Sequence, residues 1–289
     1  MSARGELAEA FDAHRPHLLR VAYGQLGSLA EAEDVVQEAW LRLERADAAE
    51  IRDLRGWLTT TVSRLALDTL RSARVRRERY VGPWLPEPVV DDADPADRVT
   101  LDESIGMALL VVLETLSAAE RVAFVLHDVF GYEFPQVAEV LGTSHDAARQ
   151  LASRARRRVE AGRPRFPATP DQQREIVAAF AHAAIEGDTE RLVELLAPDA
   201  VMRADGGGLV NAPRKPIVGG DKVAKAVIGL TGKGADPSTA RIVDVNGLPG
   251  ITGRDWDGTP NVVAFTVDGG RITAIDIVRN PEKLRGVPV

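Results

Sequence analysis

The chain has 289 residues and no cysteine, so it can hold two or three domains, while disulfides, thiolate zinc sites and thiol nucleophiles are excluded. Its formal net charge is −7, yet arginines are concentrated at two places, which indicates that an acidic protein meets a polyanion there. No apolar run approaches the length of a membrane span and the N-terminus lacks the apolar stretch of a signal peptide, so we expect a cytoplasmic protein without a membrane contact.

The N-terminal part of the chain is predicted to be helical. Across residues 6–80, apolar side chains recur at helical spacing and strand-like alternation is rare. On a helical wheel of residues 55–77, Arg64 and Arg71 project outward while an apolar stripe packs inward. This helix ends in the first arginine cluster, which contains Arg71, Arg74, Arg76, Arg77 and Arg79.

A second helical part follows a proline-rich acidic segment, residues 82–104, which we interpret as a linker. Helical periodicity returns at Ile105. A short apolar helix at residues 134–141, the turn at Gly142 and a capped second helix have the layout of a helix-turn-helix. The first turn of such a second helix faces base edges and its later arginines reach phosphates. Its candidate DNA contacts are Ser144, Asp146, Ala147, Arg149, Gln150, Ser153, Arg154, Arg156 and Arg157.

The remaining chain is predicted to be an α+β domain. A capping box at Thr169 and Gln172, with Pro170 at the first helical position, predicts a helix that Gly187 ends. A short helix near residues 189–196 precedes an antiparallel sheet with strands near residues 200–204, 240–245, 261–267 and 271–278, the last two joined as a hairpin. The predicted domains are therefore residues 1–81, 105–162 and 170–289, separated by linkers at residues 82–104 and 163–169.

Several ordered motifs carry a resemblance to a known family. The segments Asp34-Val35-Val36-Gln37-Glu38-Ala39-Trp40-Leu41-Arg42-Leu43, Trp57-Leu58 and Leu65-Ala66-Leu67-Asp68-Thr69-Leu70-Arg71, with the helix-turn-helix, resemble regions 2 and 4 of an extracytoplasmic-function sigma factor of bacterial RNA polymerase. The chain departs from that pattern at Ser63-Arg64, where many members have Arg-Asn at the position that grips a flipped base.

The resemblance implies roles for the helical residues. It implies that the helix after Ser144 reads the −35 element of a promoter. It also implies that one helix docks on the largest subunit of core polymerase through Asp34, Gln37, Glu38 and Trp40. Contacts to the −10 element are then expected from Arg64, Asp68, Arg71, Arg74, Arg76 and Arg77.

Three further motifs are Trp84-Leu85-Pro86-Glu87-Pro88, Asp205-Gly206-Gly207-Gly208 and Asn280-Pro281-Glu282-Lys283-Leu284. They resemble the signatures of a subgroup of these sigma factors that carries a fused SnoaL-like domain. The implied fold class is multidomain, with two all-α sigma domains, a region 2 bundle and a region 4 helix-turn-helix, followed by a cone-shaped α+β domain. Because Trp84 and Leu85 are large apolar residues in an acidic linker, we expect them to be buried against the C-terminal domain. The predicted regulatory interdomain contact comprises Trp84, Leu85, Pro86, Glu87, Pro88, Asp205, Gly206, Gly207, Gly208, Asn280, Pro281, Lys283 and Leu284.

The predicted function is promoter-specific transcription initiation, modulated by the C-terminal domain. The expected partners are core RNA polymerase, promoter DNA and an unidentified small ligand of the C-terminal domain; no cofactor, metal or catalytic residue is expected. Two alternatives remain open. One is a helix-turn-helix regulator with a ligand-sensing domain, which would bind promoter DNA without polymerase. The other is a SnoaL-like enzyme fused to a DNA-binding module.

Enzymatic activity of the C-terminal domain finds little support in its side chains. Asp205, Asp244 and Asp276 are candidate general bases. Residues 167–289 nevertheless contain no tyrosine, a common donor to a developing oxyanion. We interpret their single histidine, His182, as a packing or surface residue.

Overall fold

The computed structural model describes residues 3–47, 50–77, 80–91, 105–233 and 237–287, and among these it describes the side chains of all but residues 3, 4, 73–77, 91 and 237. The chain forms two compact units. Within the described residues, the first contains the helical chain up to Gly162 apart from residues 80–91 and Gly106–Ala108, and the second contains those two segments together with the chain from Arg163 onward.

The first unit begins with three packed helices, α1 (Ala3–Leu26), α2 (Leu29–Arg45) and α3 (Leu54–Arg77). The Ser28 hydroxyl caps α2 by accepting a hydrogen bond from the Glu31 amide at 3.3 Å. Along α2 the buried side chains follow helical spacing, so that one face enters the core: Ala32, Val35, Val36, Ala39 and Leu43. The predicted helical character of this part is confirmed.

The helix-turn-helix is also confirmed in the first unit. It follows α4 (Met107–Leu113) and α5 (Ala118–Phe124), which continues as a π-helical turn over Val125–Val129. Helix α6 (Phe134–Leu141) ends at Gly142, whose φ of 63° is left-handed and therefore favours glycine. Helix α7 (His145–Gly162) then packs on α5 and α6.

The second unit combines three helices with a mixed sheet. The helices are α8 (Pro170–Glu186), α9 (Thr189–Leu195) and α10 (Gly220–Thr231). Within the described residues the sheet has seven strands in the order β1-β4-β5-β6-β7-β2-β3. The strands are β1 (Val90–Asp91), β2 (Leu196–Asp205), β3 (Ile217–Val218), β4 (Arg241–Val245), β5 (Leu248–Arg254), β6 (Pro260–Asp268) and β7 (Arg271–Val278).

Most predicted elements of this unit are present, with one error in the sheet. The Thr169 capping box and the β6–β7 hairpin are confirmed. The expectation of an antiparallel sheet is wrong for β2 and β7, which pair in parallel. A parallel pair joins strands that are distant in sequence, and no local turn signal reports it.

A short segment of the predicted linker packs against the second unit, and we refer to residues 80–91 as the docked segment. Its strand β1 adds to the edge of the sheet, with Val90 opposite Val245. Asn246 extends this pairing, because its amide donates to the Val89 carbonyl at 2.8 Å and its side chain accepts from the Val89 amide at 3.2 Å. The rest of the predicted linker, residues 92–104, lies outside the described residues.

Candidate functional sites

The first turns of α7 are polar and exposed. Ser144 caps the helix by accepting a hydrogen bond from the Ala147 amide at 3.2 Å. The Arg149 side chain is 64% exposed and lies 5.4 Å from the Phe134 ring and 3.9 Å from Asp146. Of the side chains expected at base edges, Asp146, Arg149 and Gln150 thus lie on the surface, whereas Ala147 is half-buried. Ser153, expected to reach a phosphate, is exposed as well.

Two later arginines of α7 are held by a buried carboxylate. Arg154 and Arg158 lie 3.1 Å and 2.9 Å from the two oxygens of Glu120 on α5. Burial acts to raise the pKa of Glu120, but hydrogen bonds from Ser117 and the two arginines bring it below its usual value. Arg154 therefore anchors α7 to α5 as well as facing solvent.

Arg156 and Arg157 differ in their surroundings. The Arg156 Nε donates to Asp128 at 2.7 Å, although 45% of its side chain remains exposed. Arg157, the next residue of the helix, is also exposed, and its side chain has no ion pair among the described residues. Both guanidinium groups can reach a phosphate, and Arg156 would exchange one carboxylate partner for another anion.

On α3, Arg64, one of the residues expected to contact the −10 element, is exposed. Its guanidinium donates to the Glu139 backbone carbonyl at 2.9 Å and lies 3.3 Å from the Glu139 carboxylate. The preceding residue, Ser63, is fully buried and accepts a hydrogen bond from Gln25 at 3.0 Å. At the position where the chain departs from the family pattern, only Arg64 faces outward.

The remaining −10 candidates lie further along α3. Asp68 and Arg71 are both exposed and form an ion pair of 3.4 Å within the helix. Because exposed pairs of this kind contribute little to stability, both side chains are available to a partner. The side chains of Arg74, Arg76 and Arg77 lie outside the described residues, as does Arg79.

The candidate polymerase face lies on α2. Trp40 is half-buried, with its ring 5.1 Å from that of Phe11 on α1. Asp34 and Gln37 are exposed on neighbouring turns. This arrangement provides an aromatic residue anchored at its base and surrounded by polar groups, as binding hot spots often do.

Two more residues complete this face. The Glu38 carboxylate lies 3.1 Å from Arg42, one turn later, and both side chains are close to half exposed. Leu41 is a large apolar residue with 36% of its surface exposed. Sequence reasoning left Leu41 out, although its spacing of four residues from Gln37 indicated the same face.

A half-buried histidine joins α1 to the turn before α6. The His17 Nε2 lies 2.8 Å from the Tyr132 hydroxyl, which lies 3.0 Å from the Thr59 hydroxyl on α3. Burial, followed by the nearby charge of Arg55, lowers the pKa of His17 to about 4. Arg20 and His14 act in the same direction. His17 is therefore neutral at pH 7.

Acidification is expected to weaken this contact. The pKa of His17 is lower in the folded chain than the ordinary value of 6.5, so its contribution to stability is complete above about pH 6.5 and is lost as the pH falls toward 4. We expect His17→Gln, which can still hydrogen-bond Tyr132, to make the urea midpoint less sensitive to pH over this range. An identical pH dependence in both proteins would contradict this role of His17.

Asp205, at the end of β2, binds the docked segment through its carboxylate. The residue is completely buried. One oxygen accepts from the Tyr80 hydroxyl at 2.6 Å, and the other accepts from the Leu85 amide at 2.8 Å. Lys283 lies 2.7 Å from the carboxylate and also donates to the Leu85 carbonyl. Its ammonium further sits 3.9 Å from the centre of the Trp84 ring.

The other two motifs support the same contact. The Asn280 side chain donates to the Tyr80 hydroxyl at 2.9 Å, and its backbone amide donates to the Asp205 carbonyl. Gly207 has a φ of +63°, and a Cβ there would lie 2.5 Å from the Asn280 side chain. The structure therefore brings the three motifs together, with Leu85, Pro86, Pro88, Gly206 and Leu284 buried, Glu87 half-buried, and Gly208 and Pro281 exposed.

Tyr80 was not among the predicted contact residues. Burial first, then the hydrogen bond and charge of Asp205, raise the pKa of its hydroxyl above the usual range, so it remains a donor at neutral pH. The only sequence signal was an aromatic residue directly before the proline-rich segment.

The acidic residues considered as general bases have structural partners. The Asp205 carboxylate accepts hydrogen bonds from Tyr80 and Leu85 and pairs with Lys283. The Asp276 carboxylate is buried and lies 2.6 Å from Arg203 on β2, while Asp244 pairs with Arg174 at 3.1 Å near the surface. His182 is exposed and lies 3.3 Å from Glu186 on the same helix.

Two general features of the described residues bear on partners. None of the described helices combines the length and apolarity needed to span a membrane. Across the same residues, no group of three or more His, Asp or Glu side chains is arranged to hold a metal ion.

Two family models match the helical part of the chain, and two relatives match nearly all of it. The Sigma-70 region 2 model matches residues 10–76, and the Sigma-70 region 4 model matches residues 106–159. The chain is 45% identical to the ECF RNA polymerase sigma factor SigJ of Mycobacterium tuberculosis, over 96% of this chain and 93% of SigJ. It is 37% identical to the probable ECF RNA polymerase sigma factor SigI of that species, over 98% and 97% of the two chains.

A solved structure agrees with these matches. The crystal structure of SigJ from Mycobacterium tuberculosis superposes with a TM-score of 0.81 at 41% identity, covering 97% of this chain and 99% of that one. The predicted fold class, two helical sigma regions followed by an α+β domain, is confirmed.

Proposed function

The chain belongs to the extracytoplasmic-function sigma factors of RNA polymerase, and we propose from this that it binds core polymerase and directs it to specific promoters. The proposed DNA binding rests on one observation, the exposed polar start of α7. Arg149 and Gln150 face solvent there, near the beginning of the second helix of the helix-turn-helix. Core binding is assigned to the α2 face of Gln37, Glu38 and Trp40. As a partner of polymerase the protein works in the bacterial cytoplasm.

In the free chain, promoter contacts compete with contacts inside the first unit. Arg64 would have to leave Glu139 before it could grip a −10 base, and Arg156 would have to leave Asp128 before it could bind a phosphate. Both arginine side chains remain about half exposed in these contacts, so a phosphate or a base edge can approach them and take the place of the present partner. The free arrangement is thus a closed one that polymerase and promoter open.

The docked segment gives the C-terminal domain its regulatory role. This segment lies in the chain between the two DNA-binding helical domains, so holding or releasing it changes the length of chain that connects them. The contact between the docked segment and the C-terminal domain depends on the Asp205 carboxylate, which accepts hydrogen bonds from four donors: Tyr80, Leu85, Gly207 and Lys283. Regulation requires no covalent step, and we assign no catalytic role to the acidic residues of this domain.

Reconstituted transcription tests the function. Full-length protein added to core polymerase should yield transcripts with defined start sites on promoter-containing DNA, and core polymerase alone should not. A helix-turn-helix regulator would instead bind the promoter duplex tightly without polymerase and produce no transcript. That outcome would overturn the proposal.

Two arginines of α7 are expected to have separable effects on promoter binding. Arg149→Ala removes a base contact, so it should cost about 1–3 kcal/mol at one −35 position and relax discrimination there. Arg156→Ala removes a phosphate contact, so it should weaken all sequences about equally and flatten the salt dependence. Holoenzyme binding to a panel of −35 variants at several salt concentrations measures both effects. Equal losses of discrimination from the two changes would refute the assignment.

A further inference from the structure

A cavity lies within the C-terminal domain, between α8, α10 and the sheet. Its volume is about 410 Å³, in the range of small-molecule sites. Met202, Phe265 and Ile275 form a buried apolar floor, and Ile185, which is 53% exposed, lines it nearer the surface. The walls are therefore apolar over most of their area and accessible from one side.

The polar groups of the cavity are gathered at one end and neutralise one another. The buried Arg279 guanidinium lies 2.5 Å from Asp255 and 3.1 Å from Asp257, and it donates to the Asn211 carbonyl. Burial raises the pKa of Asp255 in spite of this cation and of a hydrogen bond from Asn261. Arg279, the buried cation of the cavity, is thus paired with two carboxylates. The other lining cation, Lys233, is exposed, and its ammonium lies 4.7 Å from the centre of the Trp256 ring. A charged group in the buried part of the cavity would therefore lose hydration without gaining an unpaired counter-charge.

We propose that this cavity binds an uncharged, mainly apolar small molecule carrying one hydrogen-bonding group, and that its occupancy tightens the hold on the docked segment. The apolar walls take the body of the molecule, and Asn261 and Asp255 take its polar group. The regulatory consequence rests on the proposed function, whereas binding itself does not.

The coupling follows from residues that are neighbours in sequence. On β2, Ala204 lines the cavity while Asp205 holds the docked segment. After β7, Arg279 lines the cavity while Asn280 donates to Tyr80. In both places, one residue lines the cavity and the next residue contacts the docked segment. A ligand that orders these residues therefore lowers the conformational entropy cost of holding the segment.

The loop between β2 and β3 also lies between the cavity and the docked segment. Pro213 lines the cavity, and its carbonyl lies 3.8 Å from the place where a Cβ on Gly82 would stand. The loop thus contacts the docked segment on one side and the ligand space on the other.

Binding is tested with the full-length chain and Nile red, an uncharged apolar fluorophore. Ala181→Phe on α8 fills the cavity and should weaken binding at least tenfold, and Ile185→Trp at its exposed side should do so as well. Ala178→Phe, an exposed position on α8 outside the cavity lining, is the matched control and should bind as the wild type does. Circular dichroism verifies that the variants fold. Absent binding, or unchanged binding in both filled variants, would overturn the proposal.

The charge preference and the coupling each have a readout. Among dodecanol, dodecanoate and dodecylammonium, dodecanol should displace Nile red at the lowest concentration, and preferred displacement by a charged member would contradict the assignment. Saturating dodecanol should slow amide exchange at Leu85 about fivefold or more in the wild type, but not in Ala181→Phe. Unchanged exchange in the wild type would overturn the coupling. Neither readout involves polymerase, so failure here is distinct from failure to initiate transcription.

Discussion

Asp205→Asn is expected to release the docked segment from the C-terminal domain. The substitution removes the charge that holds Lys283 and weakens the acceptors for Tyr80 and Leu85 in a fully buried site. Losing one partner of a buried ion pair typically costs about 3 kcal/mol or more. That cost corresponds to about a hundredfold larger population of the released segment.

Chymotrypsin measures this population, since the Trp84–Leu85 bond is accessible to the protease only when the segment is free. Cleavage of this bond should be about a hundredfold faster in Asp205→Asn, provided that opening and closing are fast relative to cleavage. Asp221→Asn makes the same change at an exposed aspartate on α10 and should leave the cleavage rate nearly unchanged. Equal cleavage of wild type and Asp205→Asn would show that Asp205 does not hold the segment.

Glu38→Arg is expected to abolish binding to core polymerase. The substitution reverses a charge on the exposed face of α2, next to Trp40, and like-charge contacts across an interface cost several kcal/mol. Within the free chain the new side chain only faces Arg42, one turn away, which costs about 0.2–0.5 kcal/mol. Helix content by circular dichroism should therefore match the wild type while affinity for core polymerase is lost.

Glu160→Arg is a suitable control for this experiment. Glu160 is exposed near the end of α7, so the same charge change is made on another helix, away from the α2 face. Its affinity for core polymerase should remain within about twofold of the wild type. Wild-type affinity in Glu38→Arg would remove this residue from the interface.

Local chemistry made part of the fold predictable. The Thr169 capping box, the left-handed turn at Gly142 and the β6–β7 hairpin each depend on a few adjacent residues. Strand β5 was not predicted, because it contains Pro249, Gly250 and Gly253, and proline and glycine are rare within strands. In the sheet, a Cβ at Gly250 would lie 2.6 Å from the Val263 carbonyl, so a close approach between strands selects glycine there.

The candidate sites were predictable to different degrees. Resemblance to the family named the three motifs that meet at Asp205, but spacing alone gives no reason for residues more than a hundred positions apart to meet. The ion pair between Arg154 and Glu120 could not be predicted from the sequence either, because it depends on the packing of α7 against α5. The polar end of the cavity, Asp255 with Arg279, was not predicted either, since neither residue belongs to a local pattern.

We propose that the Asp205 contact governs promoter-specific initiation by this sigma factor. The most direct test of this claim is the yield of correctly started transcript from core polymerase supplied with wild type, Asp205→Asn or Asp221→Asn at equal concentrations. We expect Asp205→Asn to change that yield about fivefold or more while Asp221→Asn does not. Equal yields from wild type and Asp205→Asn, with the docked segment shown to be released, would contradict the claim.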